Sequence, residues 1–274
     1  MPSVKIIKKK AHAKINLFLH ILDRLPNGYH QIQTIFELVD LHDDLMFSTN
    51  ETGGVNLHIR GLPLSKQDNL IVKAHGLLRQ KTQQSLGVDI TLTKRIPVGA
   101  GLGGGSSDAA ITLLALNELF GLKLNDAVLH ELGLSIGADV PVFLKGKSAF
   151  AEGIGDKLTP MQLARQYYVI LVPHQCLVNT AFVYQHLPLQ VRTLPIRKAR
   201  YSFSNTHNDL ESLVLEHFSK VREALQWLKQ FAPARLTGSG SAVFAPVALK
   251  KEAEAIARKP DIPGILFVTN SITN

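Results

Sequence analysis

Between Pro97 and Ala110 the chain reads PVGAGLGGGSSDAA, with five glycines among the seven residues 99–105, then two hydroxyls, then an apolar run. Glycine has no Cβ, so its backbone reaches positive φ and lets a ligand come close. Ahead of the run, Val88-Asp89-Ile90-Thr91-Leu92-Thr93 alternates and is β-branched, which predicts a strand. Behind it, Ala109 to Leu119 is almost wholly apolar with small alanines, which predicts a buried helix. A helix that starts directly after such a loop aims unpaired N–H groups and its positive dipole end at whatever lies there. That is a cradle for phosphate. Ser106 or Ser107 is the expected N-cap.

The common phosphate motifs do not fit. A P-loop needs a lysine next to its last glycine, and no lysine lies between Lys94 and Lys123. Gly99, Gly101 and Gly104 match the dinucleotide spacing, but Glu118, near the place of the ribose acid, falls inside the predicted helix. The protein-kinase loop wants a valine soon after its last glycine, and the nucleophile elbow wants glycine where Asp108 stands.

With 274 residues and 45% apolar content the chain can bury a large core as one large domain or two smaller ones. A single cysteine, Cys176, excludes an internal disulfide and fits a reducing cytoplasm. No apolar run approaches the roughly 18 residues of a membrane span, so no membrane partner is expected. The basic Lys5 to Lys14 followed by Ile15 to Leu22 loosely mimics a signal peptide, but Asn16 and His20 interrupt the apolar part, and an amphipathic strand is the better reading. The net charge of +8 suits an anionic partner, either nucleic acid or a small molecule. The basic run Arg192 to Arg200 reads as a solvated loop, and without a zinc-finger or aromatic RNA-binding signature no nucleic acid is expected. His42-Asp43-Asp44 reads as a turn between strands, and no residue is assigned to a metal.

Strands are predicted at Lys5–Lys10, Lys14–Leu22, Gln31–Val39, Leu45–Ser48 and Val55–Arg60, with a turn at Asn27-Gly28. A helix opens at Asp68-Asn69, and another is capped by Asn125 or Asp126. Strand returns at Ala149 and at Tyr167–Val172. Helices follow at Thr180–His186, Asp209–Phe218 and Val221–Phe231, then strand at Ala242–Val247, helix at Leu249–Arg258 and strand at Ile265–Val268. This mixed order predicts an α+β protein with a boundary near Pro160, dividing residues 1–160 from 161–274.

Three segments together resemble the motifs of the GHMP kinases (galacto-, homoserine, mevalonate and phosphomevalonate kinases). They are Ala13-Lys14-Ile15-Asn16-Leu17, the glycine run from Pro97 to Ala110, and Leu236-Thr237-Gly238-Ser239-Gly240-Ser241-Ala242-Val243-Phe244. Pro26-Asn27-Gly28-Tyr29-His30 and Gly137-Ala138-Asp139-Val140-Pro141-Val142-Phe143 look like the member that acts on 4-diphosphocytidyl-2-C-methyl-D-erythritol. The resemblance implies a ribosomal-protein-like α/β N-terminal domain and a ferredoxin-like C-terminal domain. It implies ATP-dependent phosphorylation of that substrate's 2-hydroxyl, a step of the non-mevalonate route to isoprenoid precursors, with magnesium accompanying ATP. A kinase for homoserine or mevalonate, a nucleotide-dependent oxidoreductase and a basic RNA-binding module are the rival readings.

By the same resemblance Lys14 and Asp139 belong at the acceptor hydroxyl, Asp139 as general base and Lys14 stabilising charge. Without the family, Asp139 reads equally well as a helix N-cap and Lys14 as an exposed strand lysine. Asn16 shares the strand face of Lys14. Pro97, Val98, Gly99, Ala100, Gly101, Leu102, Gly103, Gly104, Gly105, Ser106 and Ser107 are expected to wrap the ATP phosphates, with Ser106 or Ser107 touching magnesium. Lys94 and Asn69 are expected near the nucleotide. Tyr29 and His30 are expected to recognise cytosine by stacking and hydrogen bonding. Thr180 and a second aromatic, Tyr184 or Phe182, are expected beside them. Gly238 to Ser241 is expected to pack beside the phosphate loop.

Overall fold

Two long strands carry the N-terminal part of the chain, β1 (Ile6–Arg24) and β2 (His30–Thr49), which pair with each other. They belong to a computed structural model that describes residues 5–61 and 69–272, so Asp68 lies outside the described residues. The turn between the strands is closed by Leu25 N–H to Tyr29 O at 2.7 Å and Gly28 N–H to Leu25 O at 2.9 Å, with Gly28 at φ +85°. The sequence predicts a break near residues 11–13 and a turn at His42-Asp43-Asp44; neither exists, and both strands run through. Asp43 can sit in mid-strand because its buried carboxylate takes two backbone N–H groups and a lysine as partners.

By internal packing the chain divides into two units that interleave along the sequence. One holds the chain up to Ala13, His42–Pro97 and Gly103–Gly146; the other holds Lys14–Leu41, Val98–Leu102 and the chain from Lys147. These units differ from a single division at residue 160, because β1, β2 and the glycine loop each contribute to both.

In the first unit β3 (Val55–Gly61) runs parallel to β4 (Val88–Lys94), and β4 is antiparallel to the end of β2, with Leu45 opposite Leu92. The helices are α1 (Leu70–Thr82), α2 (Gly104–Leu119), α3 (Asp126–Ile136) and α4 (Val140–Lys145). Asn69 caps α1 by accepting from Ile71 N–H at 3.0 Å, and Asn125 caps α3 by accepting from Val128 N–H at 3.0 Å. Helix α2 packs against α1, α3 and α4, and buries Ala109, Ala110, Leu113, Ala115 and Leu116. It begins earlier than the sequence predicts. Gly103 holds the N-cap position at φ 70°, and Ser106 and Ser107 lie inside the first turn, so neither serine is the cap.

In the second unit the first half of β2 pairs with β5 (Ala149–Glu152), which pairs with β6 (Lys157–Pro160). A four-stranded antiparallel sheet follows in the order β10 (Gly264–Asn270), β7 (Tyr167–Pro173), β9 (Val243–Val247), β8 (Arg235–Leu236). Between β7 and β8 come α5 (Thr180–His186), α6 (Glu211–His217) and α7 (Ser219–Lys229), and α8 (Lys250–Ala257) joins β9 to β10. With α7 and α8 packed on it, the sheet has the strand order and βαββαβ layout of a ferredoxin-like domain. Val169, Leu171, Leu225, Leu228, Leu236 and Val243 fill its core. The chain is α+β, and no helix among the described residues is long and apolar enough to cross a membrane.

Candidate active site

Strand alternation places Lys14 and Asn16 on one face of β1. Lys14 is buried, not the exposed strand lysine of the bland reading. Its Nζ donates to Asn16 Oδ1 at 2.7 Å and to Gly101 O at 2.9 Å, and lies 5.4 Å from the centre of the Phe36 ring. Asn16 is held in turn. Its Nδ2 donates to Thr34 Oγ1 at 2.9 Å, and its backbone N–H donates to Thr237 Oγ1 at 2.8 Å. The Thr34 hydroxyl donates in turn to Phe18 O. A lysine so fixed keeps its charge at one point, which suits charge stabilisation better than a mobile surface ammonium does.

The glycine loop turns through positive φ at Gly99, Gly101 and Gly103, at 68°, 76° and 70°. At Gly101 a Cβ would come within 2.8 Å of both Gly240 O and Thr237 O, so the backbone there admits glycine alone. Ala242 N–H donates to Ala100 O and Lys14 N–H to Leu102 O, each at 3.0 Å. The third motif therefore packs on the glycine loop through Thr237, Gly240 and Ala242, around the expected Gly238 to Ser241. Asn208, which no motif singles out, supports that segment by donating to Leu236 O at 3.0 Å and Gly238 O at 2.8 Å.

In the first unit the start of α2 has no side-chain cap. Its first N–H groups are left for a ligand or solvent, the condition for binding an anion at a helix start. Ser106 is half-buried, while the hydroxyl of Ser107 is buried without a hydrogen-bond partner. A Cβ at Gly137 would lie 4.0 Å from Ser106 Oγ, so the segment leading to Asp139 passes beside this turn. Asp139 does occupy the N-cap position of α4, as the bland reading says, but its side chain makes no capping hydrogen bond. Lys94 is buried between two carboxylates, at 2.5 Å from Asp43 Oδ2 and 2.7 Å from Asp108 Oδ2. Burial pushes the Asp108 carboxyl up, against the downward pull of the Lys94 ammonium.

Among the expected base-binding residues, Tyr29 is 58% exposed and His30 is half-buried. The His30 ring lies 5.2 Å from that of Tyr184, tilted by 43°. Phe182 is turned elsewhere, stacked on His186 at 4.0 Å and edge-on to His217 and Phe218. Of the two competing aromatics, Tyr184 is thus the one brought to His30. Burial, and then the nearby Arg24 guanidinium, lower the His30 pKa and favour its neutral ring. Thr180, the first residue of α5, shares a 2.8 Å hydrogen bond with Ser239 in the third motif.

The model of the GHMP kinases N terminal domain matches residues 69–147, and that of the GHMP kinases C terminal domain matches 195–264. The 4-diphosphocytidyl-2-C-methyl-D-erythritol kinase of Pseudoalteromonas atlantica is 46% identical over 244 residues, covering 89% of this chain and 85% of that protein. The chain belongs to the 4-diphosphocytidyl-2-C-methyl-D-erythritol kinase family of GHMP kinases. Its relative in Pseudomonas paraeruginosa is likewise 46% identical, over 90% of this chain and 87% of that protein. A solved 4-(cytidine 5'-diphospho)-2C-methyl-D-erythritol kinase superposes with a TM-score of 0.85 at 31% identity, over 98% of this chain and all of that one. The homoserine kinase from Cytophaga hutchinsonii, at TM-score 0.70 and 22% identity over 100% of this chain and 97% of that one, shares the GHMP kinase fold.

Proposed function

We propose that this GHMP kinase transfers the γ-phosphoryl group of ATP to the 2-hydroxyl of 4-diphosphocytidyl-2-C-methyl-D-erythritol, giving the 2-phosphate and ADP. The observation that carries the kinase reading is the start of α2, where a left-handed Gly103 replaces a capping side chain and leaves the helix N–H groups for phosphate oxygens. The acceptor is taken from the family, supported by the exposed Tyr29 ring and by the His30–Tyr184 pair.

The residue roles follow from the chemistry. Phosphoryl transfer asks for positioning and charge stabilisation, with a group to take the hydroxyl proton. Gly99 to Ser107 cradle the phosphates through backbone N–H groups. Asp139 accepts the proton, the part the family resemblance gives it. Lys14, fixed by Asn16 and Gly101, stabilises charge that develops at the acceptor oxygen. Asn69, at the start of α1, is assigned to the nucleoside. Tyr29 and Tyr184 offer ring faces to cytosine, His30 hydrogen-bonds its edge, and Thr180 anchors the rim of that pocket.

Magnesium fits the oxygen donors at the α2 turn. The partnerless buried hydroxyl of Ser107, with Ser106 beside it, is the protein oxygen that would hold it. When bound, the ion neutralises phosphate charge while keeping most of its waters. We place the enzyme in the cytoplasm, with a small-molecule substrate as its partner.

The deciding measurement is ADP release with the cytidylylated substrate, compared with homoserine and mevalonate. Turnover confined to the first is expected. Turnover with homoserine or mevalonate instead overturns the acceptor, and no ATP-dependent turnover at all overturns the kinase reading.

A further inference from the structure

One buried ammonium joins the two stems of the glycine loop. Strand β4 ends at Lys94 and α2 begins at Gly104, so the loop runs from Arg95 to Gly103. Lys94 Nζ reaches Asp43 Oδ2 at 2.5 Å and Asp108 Oδ2 at 2.7 Å, and the three side chains are 2%, 0% and 4% exposed. The other oxygen of Asp43 accepts from the first two loop amides, Arg95 N–H at 2.5 Å and Ile96 N–H at 2.9 Å. A Cβ at Gly104 would come within 2.9 Å of Lys94 Nζ, so the first helical residue sits directly against the ammonium. Asp43 thus fixes the loop's departure, Asp108 fixes its arrival in the helix, and Lys94 ties the two together.

Such a cluster is a poor device for stability alone. Taking two carboxylates and one ammonium out of water costs several kcal/mol per ion, which their attraction repays only in good geometry, and apolar side chains would often serve as well. What the ions add is a fixed geometry. We propose that Asp43 and Asp108, acting through Lys94, are positioning residues that hold the glycine loop in its phosphate-binding shape before ATP arrives. The inference rests on the kinase reading above. Lys94, expected near the nucleotide, then acts through the loop, because its ammonium is spent on Asp43 and Asp108. A loop held in advance binds its ligand without an ordering cost. Loosening the clasp should therefore weaken ATP binding while leaving the cytidine end of the site intact.

The test uses the whole enzyme and the variants Asp43→Asn, Asp108→Asn and Asp108→Ala. Steady-state kinetics, titration with a non-hydrolysable ATP analogue, thermal melting and hydrogen exchange over residues 99–107 are measured for each. Each asparagine variant is expected to raise KM for ATP, and Kd for the analogue, by about tenfold, with KM for the cytidylylated substrate within about twofold. Asp108→Ala should do worse than Asp108→Asn, because the amide oxygen still accepts from Lys94. Loop amides should exchange faster in the variants. Unchanged ATP parameters overturn the inference, and so does an equal rise in both KM values with a lower melting temperature, the mark of a merely structural cluster. If the variants fail to fold, the wild type decides: loop amides equally protected with and without the analogue support a preset loop, and protection gained only on binding overturns it. A wild type that does not bind the analogue overturns the kinase reading itself, whereas normal wild-type binding with unaffected variants overturns the clasp alone.

Discussion

Lys14 Nζ lies 2.7 Å from Asn16 Oδ1, two residues away on the same face of one strand. The pair fixes an ammonium in the interior with little freedom to move. Replacing Lys14 with methionine keeps much of the packing and removes the charge. Turnover is expected to fall by about 10²–10³-fold, the range for losing one preorganised charge-stabilising group. KM for ATP should change little. Steady-state kinetics check both, and a large rise in KM with kcat preserved would reassign Lys14 to substrate binding.

Asp139→Asn is expected to lower kcat by about 10²–10⁴-fold, the usual contribution of a positioned general base. Asparagine keeps the size of the side chain, and melting is measured alongside kcat. A drop in melting temperature with near-normal kcat would return Asp139 to a structural role.

Tyr29 is exposed, so its removal costs the fold little. Tyr29→Ala should weaken binding of a cytidine nucleotide by about 1–3 kcal/mol, the worth of one stacking face, and leave ATP binding alone. Tyr29→Phe keeps the face and should cost much less. Calorimetric titration of both variants with each nucleotide separates base recognition from a folding effect.

Glu37 supplies a pH dependence. Burial pushes its carboxyl up from 4.5 to about 7, against the hydroxyls of Ser148 and Ser271, and its Oε2 lacks a hydrogen-bond partner. The native value lies above the unfolded one. Its stabilising contribution is therefore full below pH 4.5 and is lost as pH rises through about 7. The loss amounts to roughly 3 kcal/mol. Glu37→Gln should remove it, so that the variant melts above the wild type at pH 8.5 and the gap narrows towards pH 5. Parallel melting profiles across that range would show that Glu37 is not the group responsible.

Much of the site is legible in the chain because glycine reports on backbone geometry directly. Gly101 and Gly103 need positive φ, and the run that contains them announces the loop. Alternation likewise gives β4, a continuous apolar run gives β7, and an apolar run with small alanines gives α2. Asp43 is the counterexample. Beside His42 and Asp44 it reads as a turn, since what makes it tolerable in mid-strand is Lys94, 51 residues away. Thr34 and Asn208 escape notice for the same reason: each is an ordinary polar residue whose partners lie far along the chain. Ser106 and Ser107 look like caps by residue type, and glycine takes that place because the amides there are kept open. Helix α4 is too short for periodicity to show it.

The hydrogen bond from Asn16 N–H to Thr237 Oγ1 spans 221 positions of sequence. Closing so long a loop is entropically costly and slow compared with forming neighbouring helices and hairpins. A ribosome making this enzyme releases Lys14 and the glycine loop long before Thr237 exists. The nascent chain therefore carries Asn16 and the glycine loop without their threonine partner until residue 237 has been added.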